Sequence, residues 1–450
     1  MKNISISNKV IFEAYKLYGY KEKSRALVGV SLKNVKFARD VDEVINEIKE
    51  DIAKYIYRKN PEHRLAINRA FRILIGNFVY SFFERKPLAI PNKSSAFNAG
   101  TRLAKIFLAR RATRAVIDGL KAKDYIKLHT NGSKNNQLVG TYVATEKLEK
   151  FLIPLLYCVV EEYVDDNFKD YVKFNEESKK EKQRRIKKDN KSKELGINNL
   201  IDSSYIVSDT RGTSNASLSD DHPDLVNLRK VNNYLKDVTY ALKSPIKLIY
   251  TKDFLHGGRL YTPIQNLPMR KAEVRINTLI NGKPVVEIDF SASFARIAAA
   301  LHGKELPEDP YSEVASRAGV TRGQVKFLFT RAFGAKDRRI SLTDEEEPLN
   351  SINLEQRVTI EKVTKEIFPE VFPAFYNKKE PSGSLFQAIE GQVLLKTMAR
   401  LSEVNVPALP VHDSLMVPKK DFGIAETLLK NYWREVLNVN FDPVLKVEKP

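Results

Sequence analysis

Two aspartates lie inside apolar, β-branched runs of this chain, and they constrain its fold more than any other feature. Asp289 lies in VVEIDF (residues 285–290), and Asp413 lies in LPVHDSLMV (residues 409–417). Such runs predict buried strands, and an unpaired carboxylate is costly to bury. The two acids are therefore either structural groups with a polar partner or the ligands of a metal ion held between neighbouring strands.

The charge of the chain is strongly positive, with 75 Lys and Arg against 56 Asp and Glu, a net of +19. An excess of this size is typical of a protein that binds nucleic acid, although a solvated basic surface is the alternative. Most of it lies in residues 98–134 and 179–193. The second stretch has one apolar residue and cannot build a core, so it is either an arm that touches phosphates or a solvated linker.

Cysteine and hydropathy patterns exclude several classes. The single Cys158 lies in an apolar run and is predicted to be a core residue. One cysteine excludes an intramolecular disulfide framework and a multi-cysteine zinc site. The first residues show no apolar signal core, and no apolar run is long enough to cross a bilayer. We expect a protein without membrane contact in the cytoplasm of a bacterial, archaeal or phage-infected cell.

The N-terminal third predicts helices and one hairpin. Residues 41–48 and 65–75 place apolar side chains at helical spacing. Residues 103–107 and 112–120 predict two helices, followed by a two-stranded ribbon at 125–144 with a polar tip. This order is typical of a winged helix that binds DNA, with an ordinary helical subdomain as the alternative. The candidate DNA-binding residues are Arg110, Arg111, Arg114 and Lys134, together with Arg184 and Arg185 of the basic stretch.

From residue 246 onward the pattern is mixed. Strands are predicted at 246–250, 285–290 and 415–417, and helices at 324–333, 385–401 and 424–436. The fold class predicted is α+β in four parts: a helical region (1–95), a winged-helix-like part (96–150), a basic helical or linker region assigned as a thumb from its position alone (151–245), and the mixed region (246–450).

Four motifs occur in order in the mixed region. GGRLY (257–261) and QNLPMR (265–270) precede DFSASFAR (289–296), and TRGQVK (321–326) with TRAFG (330–334) precedes VHDS (411–414). They resemble the segment before motif A and then motifs A, B and C of family A DNA polymerases, of the type found in phages and bacterial mobile elements. Motif B is one residue shorter than in that family. Motif C has Ser414 where the family has Glu, as in single-subunit phage-type RNA polymerases.

The resemblance implies a right-hand polymerase palm with an antiparallel sheet. The spacing from Asp289 to Asp413 is short for this family, so we expect reduced helical fingers. Residues before 250 show no carboxylate set assignable to a proofreading exonuclease, so none is expected. The resemblance also implies dNTP addition to a primer 3′-OH with two Mg²⁺, or Mn²⁺ as a substitute, held by Asp289, Asp413 and the carbonyl of Ile288. Its implied nucleotide contacts are Arg322, Lys326, Phe333, Phe294 and Arg296, with Phe294 excluding a 2′-OH. Its implied primer–template contacts are Arg259, Gln265, Asn266 and His412. The implied partners are primed DNA, dNTPs and replication proteins.

Two other functions stay open. Ser414 favours a single-subunit RNA polymerase or primase. The winged-helix-like part and the shortened motif B favour a replication protein that binds DNA and keeps a degenerate, inactive palm.

Overall fold

The computed structural model describes residues 25–27, 30–35, 38–91, 94–99, 103, 106, 108–130, 140–161, 172–174, 221–251, 253–269, 273–379 and 381–450. They form a mixed arrangement of helices and largely antiparallel sheets, so the predicted α+β class is confirmed at this level. The hairpin tip with Lys134 and the basic stretch with Arg184 and Arg185 lie outside these residues.

The helices are α1 (Val41–Asp51), α2 (Ala53–Ile56), α3 (Pro61–Glu84), α4 (Arg110–Ala122), α5 (Glu146–Leu152), α6 (Pro223–Leu235), α7 (Ser293–Ala300), α8 (Pro310–Ala318), α9 (Arg322–Gly334), α10 (Leu354–Ile367), α11 (Ser382–Glu403) and α12 (Phe422–Leu437). Three helices of the mixed region, α9, α11 and α12, match the predicted ones closely, and α7, α8 and α10 were not predicted.

The strands are short outside the mixed region. They are β1 (Arg25–Ala26), β2 (Val30–Leu32), β3 (Leu88–Ala89), β4 (Ile126–Thr130), β5 (Thr141–Ala144), β6 (Val159–Glu161), β7 (Val172–Phe174), β8 (Lys247–Tyr250), β9 (Gly257–Tyr261), β10 (Leu279–Ile280), β11 (Lys283–Phe290), β12 (Leu409–Val411), β13 (Ser414–Pro418) and β14 (Leu445–Glu448).

Strand β11 is the centre of a five-stranded antiparallel sheet. It pairs along one edge with β13, from Val285 opposite Pro418 to Asp289 opposite Ser414. Along the other edge it pairs with β14, which places Lys446 opposite Asp289. Strand β12 extends the sheet beyond β13, and β10 pairs with the start of β11. The C-terminal end of β11 is therefore flanked on both sides.

The alternation of side chains along β11 gives the sheet two different faces. Ile288 and Phe290 point into the core, where the Phe290 ring lies 5.4 Å from that of Trp433 on α12. Glu287 and Asp289 point to the opposite face. Glu287 and Asp289 therefore place two carboxyl groups on the same face of the sheet.

Helix α11 crosses strand β9 at backbone contact distance. A Cβ added to Gly391 would lie 1.9 Å from the carbonyl oxygen of Gly258, and Gly258 itself has φ of +71°. Larger residues would separate the helix from the strand at this point. The close approach places Glu390 of α11 beside Arg259 of β9, as their electrostatic interaction shows.

Sheets or helices cross the boundaries that the sequence predicted between the four parts of the chain. The ribbon β4–β5 joins β3 and β1 in one four-stranded sheet, which spans residue 95. Helix α5 spans residue 150, and β7 pairs with β8 across residue 245. The winged-helix-like hairpin is thus built into a larger sheet, and its DNA-binding role stays a prediction.

One hydrophobic core extends from Leu27 to Leu437 through the described residues. Cys158 lies in it, as predicted, and burial raises the pKa of its thiol to about 11. Among the helices that the structure places, none combines the length and hydropathy needed to cross a membrane.

Candidate active site

The two aspartates meet at the end of the central sheet. Asp289 is opposite Ser414 in the β11–β13 pairing, and Asp413 precedes Ser414 in the two-residue turn that joins β12 to β13. His412, the other turn residue, has φ of +55°, a conformation that tight hairpin turns require. The pairing register therefore brings the two acids next to each other, as the sequence predicted for neighbouring strands.

The carboxyl group of Asp289 is held in an unfavourable environment. Burial, followed by the charges of Asp413 and Glu287, raises its pKa to about 7, against the opposing charges of Lys326 and Lys446. Its Oδ1 atom is buried and has no hydrogen-bond partner among the described residues. A carboxylate in this position gains free energy from any cation that binds beside it.

A third acid, Glu390 of α11, belongs to the same cluster and was not identified from the sequence. It is 2% exposed, and within the described part of the chain neither carboxyl oxygen has a hydrogen-bond partner. Burial and then the charge of Asp413 raise its pKa to about 8, and Asp289 adds to this effect, whereas the Ser293 hydroxyl and Arg259 oppose it. The carboxyl groups of Asp289, Asp413 and Glu390 therefore interact electrostatically in one cluster.

The nearby Glu287 is different because it is fully paired. Arg275 donates to both of its carboxyl oxygens, at 2.9 and 3.1 Å. The Ser414 hydroxyl lies 2.7 Å from Glu287 Oε1 and 2.8 Å from the carbonyl of Val411. Ser414 is 2% exposed. This serine thus supports the sheet from inside and does not offer its hydroxyl to a substrate.

Two lysines supply positive charge to the site. Lys326 lies on the exposed face of α9, and its charge lowers the pKa of Asp289. The sequence predicted a cation near the acids at this position. Lys446 of β14 also lowers the pKa of Asp289 and forms an ion pair with Glu448 at 2.8 Å. Arg322, one turn before Lys326, instead pairs with Asp309 at 2.6 Å. Only release of that exposed pair would free Arg322 for a phosphate.

An aromatic cluster lies beside the acids. Phe294 of α7 is half-buried, and its ring centre lies 5.6 Å from Phe386 of α11 and 6.1 Å from Phe333 of α9. Phe333 is 1% exposed and is also packed against Phe375 at 5.0 Å. Phe294 is thus available at the site surface, whereas stacking of Phe333 on a base pair requires the cluster to open.

Two predicted site residues make contacts within the fold. The Arg296 guanidinium donates to four backbone carbonyls, at distances between 2.7 and 3.1 Å, those of Ser291, Leu306, Pro307 and Glu308. Its assignment to nucleotide binding stays a prediction, and it requires some of these hydrogen bonds to break. Ile288 is flanked by Leu415 and Val447, so its carbonyl lies in the plane of the sheet, directed at a neighbouring strand. In this register it is not directed at the face that carries Asp289, and its assignment as a metal ligand stays a prediction.

The predicted primer–template residues surround the acids at different depths. Arg259 and Gln265 are half-buried, and Arg259 Nε and Gln265 Oε1 are buried atoms without a hydrogen-bond partner in the described residues. Asn266 is half-buried in a short 3₁₀ turn, and His412 is exposed at the hairpin. A bound ligand could supply hydrogen-bond partners for Arg259 Nε and Gln265 Oε1.

Asp289 and Asp413 fit a magnesium site in which water and substrate provide the remaining ligands. Mg²⁺ is usually held by one or two carboxylates plus water and substrate phosphates, and Asp289 and Asp413 supply two. Within the residues that the structure places, no three His, Cys, Asp or Glu side chains are arranged as a closed metal centre. The buried, unpartnered oxygen of Asp289 is the observation that favours a cation here.

The basic residues of the N-terminal region are at the surface. Arg110, Arg111 and Arg114 are exposed on the first turns of α4, and Arg114 lies 3.8 Å from Asp118. Lys127 and His129 of β4 are also exposed. Their part in DNA binding stays a prediction.

The sequence contained signals for two of the residues that were overlooked. Glu287 is two positions before Asp289, and strand alternation predicts that it shares the same face. Glu390 is one of few charges in a helix of mostly apolar residues, a pattern that predicts a buried acid. Lys446 had no such signal, because only the pairing of β14 with β11 brings it to the site.

Comparison with known proteins finds similarity among solved structures only. No protein-family model matches the chain, and no curated protein matches it. Among solved structures, the POL domain of Pol1 from M. smegmatis, in complex with DNA primer-template and dNTP, is similar at 19% identity with a TM-score of 0.31. The match covers 50% of this chain and 51% of that one. This chain thus spans about half of the structure that it matches.

Proposed function

We propose that this protein is a template-directed nucleotidyltransferase, and most specifically a DNA polymerase that adds dNTPs to a primer 3′-OH. The supporting observation is the meeting of Asp289 and Asp413 at the end of two paired strands, with a buried Asp289 oxygen that has no partner among the described residues. Two acids in this arrangement suit a pair of divalent cations. When bound, the cations supply charge stabilisation for the attacking oxygen and the triphosphate.

The protein's own groups perform the remaining tasks. Lys326 lies on the exposed face of α9 and interacts with Asp289, so it is placed to contact the triphosphate. Arg322 joins it when released from Asp309. Cations fixed on a helix stabilise charge that develops on phosphate oxygens. Arg259 and Gln265 have buried, unpartnered atoms suited to the primer and template.

The choice of sugar is proposed to depend on Phe294. Its ring is supported from behind by Phe386 and Phe333, so it cannot retreat easily from a bulkier ribose. Ser414, which favoured an RNA polymerase on sequence alone, is buried against Glu287 and has no direct route to a sugar. The structure around these two residues favours deoxynucleotides.

Primer extension tests the proposal. The wild type, Asp289→Asn and Asp413→Asn are given a primed DNA template with Mg²⁺ and either dNTPs or NTPs. Asp442→Asn is the control, because Asp442 is a surface acid paired with Arg434 away from the site. We expect extension by the wild type and the control with dNTPs, and a loss of at least about 10³-fold in both site variants.

Two results would contradict it. Extension with NTPs in preference to dNTPs would favour the RNA polymerase or primase. No synthesis by the wild type on primed, unprimed or RNA templates, with retained DNA binding, would favour the inactive replication protein.

A further inference from the structure

Glu390 differs from every other buried glutamate that the structure describes. The others are Glu84, Glu149, Glu161, Glu287 and Glu361. Each of them forms an ion pair with a Lys or Arg at 3.1 Å or less. Both oxygens of Glu390 lack a hydrogen-bond partner in the described residues. A buried carboxyl group is normally paired or bound to a metal, so Glu390 needs an explanation that the fold itself does not supply.

The surroundings of Glu390 are acidic on one side. The charges that raise its pKa are those of Asp413 and Asp289, while Arg259 acts in the opposite direction. The Ser293 hydroxyl, at the start of α7, is buried and lies near enough to Glu390 to lower the pKa of that carboxyl group. The two groups do not reach the geometry of a regular hydrogen bond. The contact of Gly391 with Gly258 holds α11 against β9, so Glu390 cannot move away from the two aspartates without separating a helix from a strand.

We propose that Glu390 is a positioning residue of the cation site, where it accepts hydrogen bonds from water bound to the cation that Asp289 and Asp413 hold. This inference rests on the proposed function, and it assigns a residue that none of the four motifs contains. The role is indirect because no three acids in the described residues form a closed metal centre. Mg²⁺ keeps several of its waters when bound to protein, and these waters need acceptors.

An outer carboxylate of this kind increases metal affinity by orienting the bound water. Loss of such an acceptor typically reduces metal affinity about 10-fold to 100-fold. The Ser293 hydroxyl is available to the same water, because a hydroxyl both donates and accepts. The carboxyl group of Glu390 and the hydroxyl of Ser293 therefore provide the polar groups that can hold an ordered, cation-bound water in place.

Binding of Mn²⁺ alone to the full-length protein tests this role without a catalytic assay. Electron paramagnetic resonance measures free Mn²⁺ in titrations of the wild type, Glu390→Gln, Glu390→Asp, Asp413→Asn and Glu361→Gln. Glu361 is the matched control, since it is a buried glutamate that is paired with Arg338 and Tyr376 away from the acids. We expect Glu390→Gln to weaken Mn²⁺ binding at least tenfold and Glu390→Asp to restore part of the loss, with Glu361→Gln unchanged.

The outcomes separate this inference from the proposed function. Wild-type affinity in Glu390→Gln, with binding lost in Asp413→Asn, overturns the role of Glu390 and leaves the two-aspartate site in place. Equal losses in Glu390→Gln and Glu361→Gln also overturn it, because a structural effect then explains both. No Mn²⁺ binding by the wild type contradicts the proposed function and the inference with it. Circular dichroism of each variant shows that it is folded before binding is compared.

Discussion

The hydroxyl of Ser414 lies 2.7 Å from Oε1 of Glu287, across the pairing of β13 with β11, the strand that carries Asp289. Motif C therefore has a structural residue at the position where the resembled family has an acid. The acid Glu287 is on the neighbouring strand instead, neutralised by Arg275.

Ser414→Ala tests this structural role. The change leaves a buried oxygen of Glu287 with one partner fewer, so we expect a loss of about 1–2 kcal/mol in the free energy of unfolding. The ratio of dNTP to NTP incorporation should stay the same. Urea denaturation and competitive primer extension measure the two quantities, and a changed sugar ratio would contradict the structural assignment.

Replacing Glu390 by Gln should change how stability depends on pH. The pKa of Glu390, about 8, and that of Asp289, about 7, are raised above their ordinary values. The folded state therefore binds more protons than the unfolded state above about pH 4, and stability falls as pH rises toward 8. Glu390→Gln removes one of these groups and should reduce the slope by at most about 1.4 kcal/mol per pH unit.

Urea unfolding at pH 5 to 8 in the presence of EDTA measures this slope. The variant should be more stable than the wild type at pH 8 and nearly equal to it at pH 5. A slope identical to that of the wild type would show that Glu390 is not the group that resists ionisation.

Phe294→Ala should widen the choice of sugar. The half-buried ring packs against Phe386 and Phe333, and under the proposed function its loss opens space for a 2′-OH. We expect the ratio of kcat/KM for NTPs to that for dNTPs to rise at least about tenfold. Because this ratio does not depend on the active fraction, partial unfolding of the variant does not affect it. An unchanged ratio would remove Phe294 from sugar selection.

Arg296→Lys should destabilise the fold without a specific effect on nucleotide binding. Lysine cannot reach four carbonyls that a planar guanidinium satisfies. We expect a loss of roughly 3 kcal/mol in the free energy of unfolding. The KM for dNTPs of the folded protein should match that of the wild type. A raised KM with full stability would support the nucleotide-binding assignment.

Gly391→Ala should separate α11 from β9. The added methyl would lie 1.9 Å from the Gly258 carbonyl oxygen, and overpacking against backbone costs about 1–3 kcal/mol or more. Gly423→Ala in α12 is the control, since its added methyl meets no heavy atom within 4 Å. We expect thermal unfolding of the control at or above the wild-type temperature and a clear decrease for Gly391→Ala. Equal temperatures for both variants would show that the helix can shift freely.

The sequence singled out the candidate site through residues whose signal is local. An acid within an apolar run is visible without a structure, and this was enough for Asp289 and Asp413. The sequence suggested that the two acids lie on neighbouring strands, but the register of the β11–β13 pairing was not visible, because the two strands are distant in sequence and their register is set by packing. The roles of Arg296 and Phe333 could not be predicted for a related reason, since motif position does not show whether a side chain faces the core.

The rings of Phe294, Phe333 and Phe386 come from three different helices and meet edge to face. Close-packed rings transmit displacement rather than absorb it. A sugar that pushes on Phe294 therefore also pushes on α9, the helix that carries Lys326. Under the proposed function, contact of the sugar with Phe294 and contact of the triphosphate with Lys326 are in this way mechanically coupled, so a nucleotide of the wrong shape would be disfavoured at both groups.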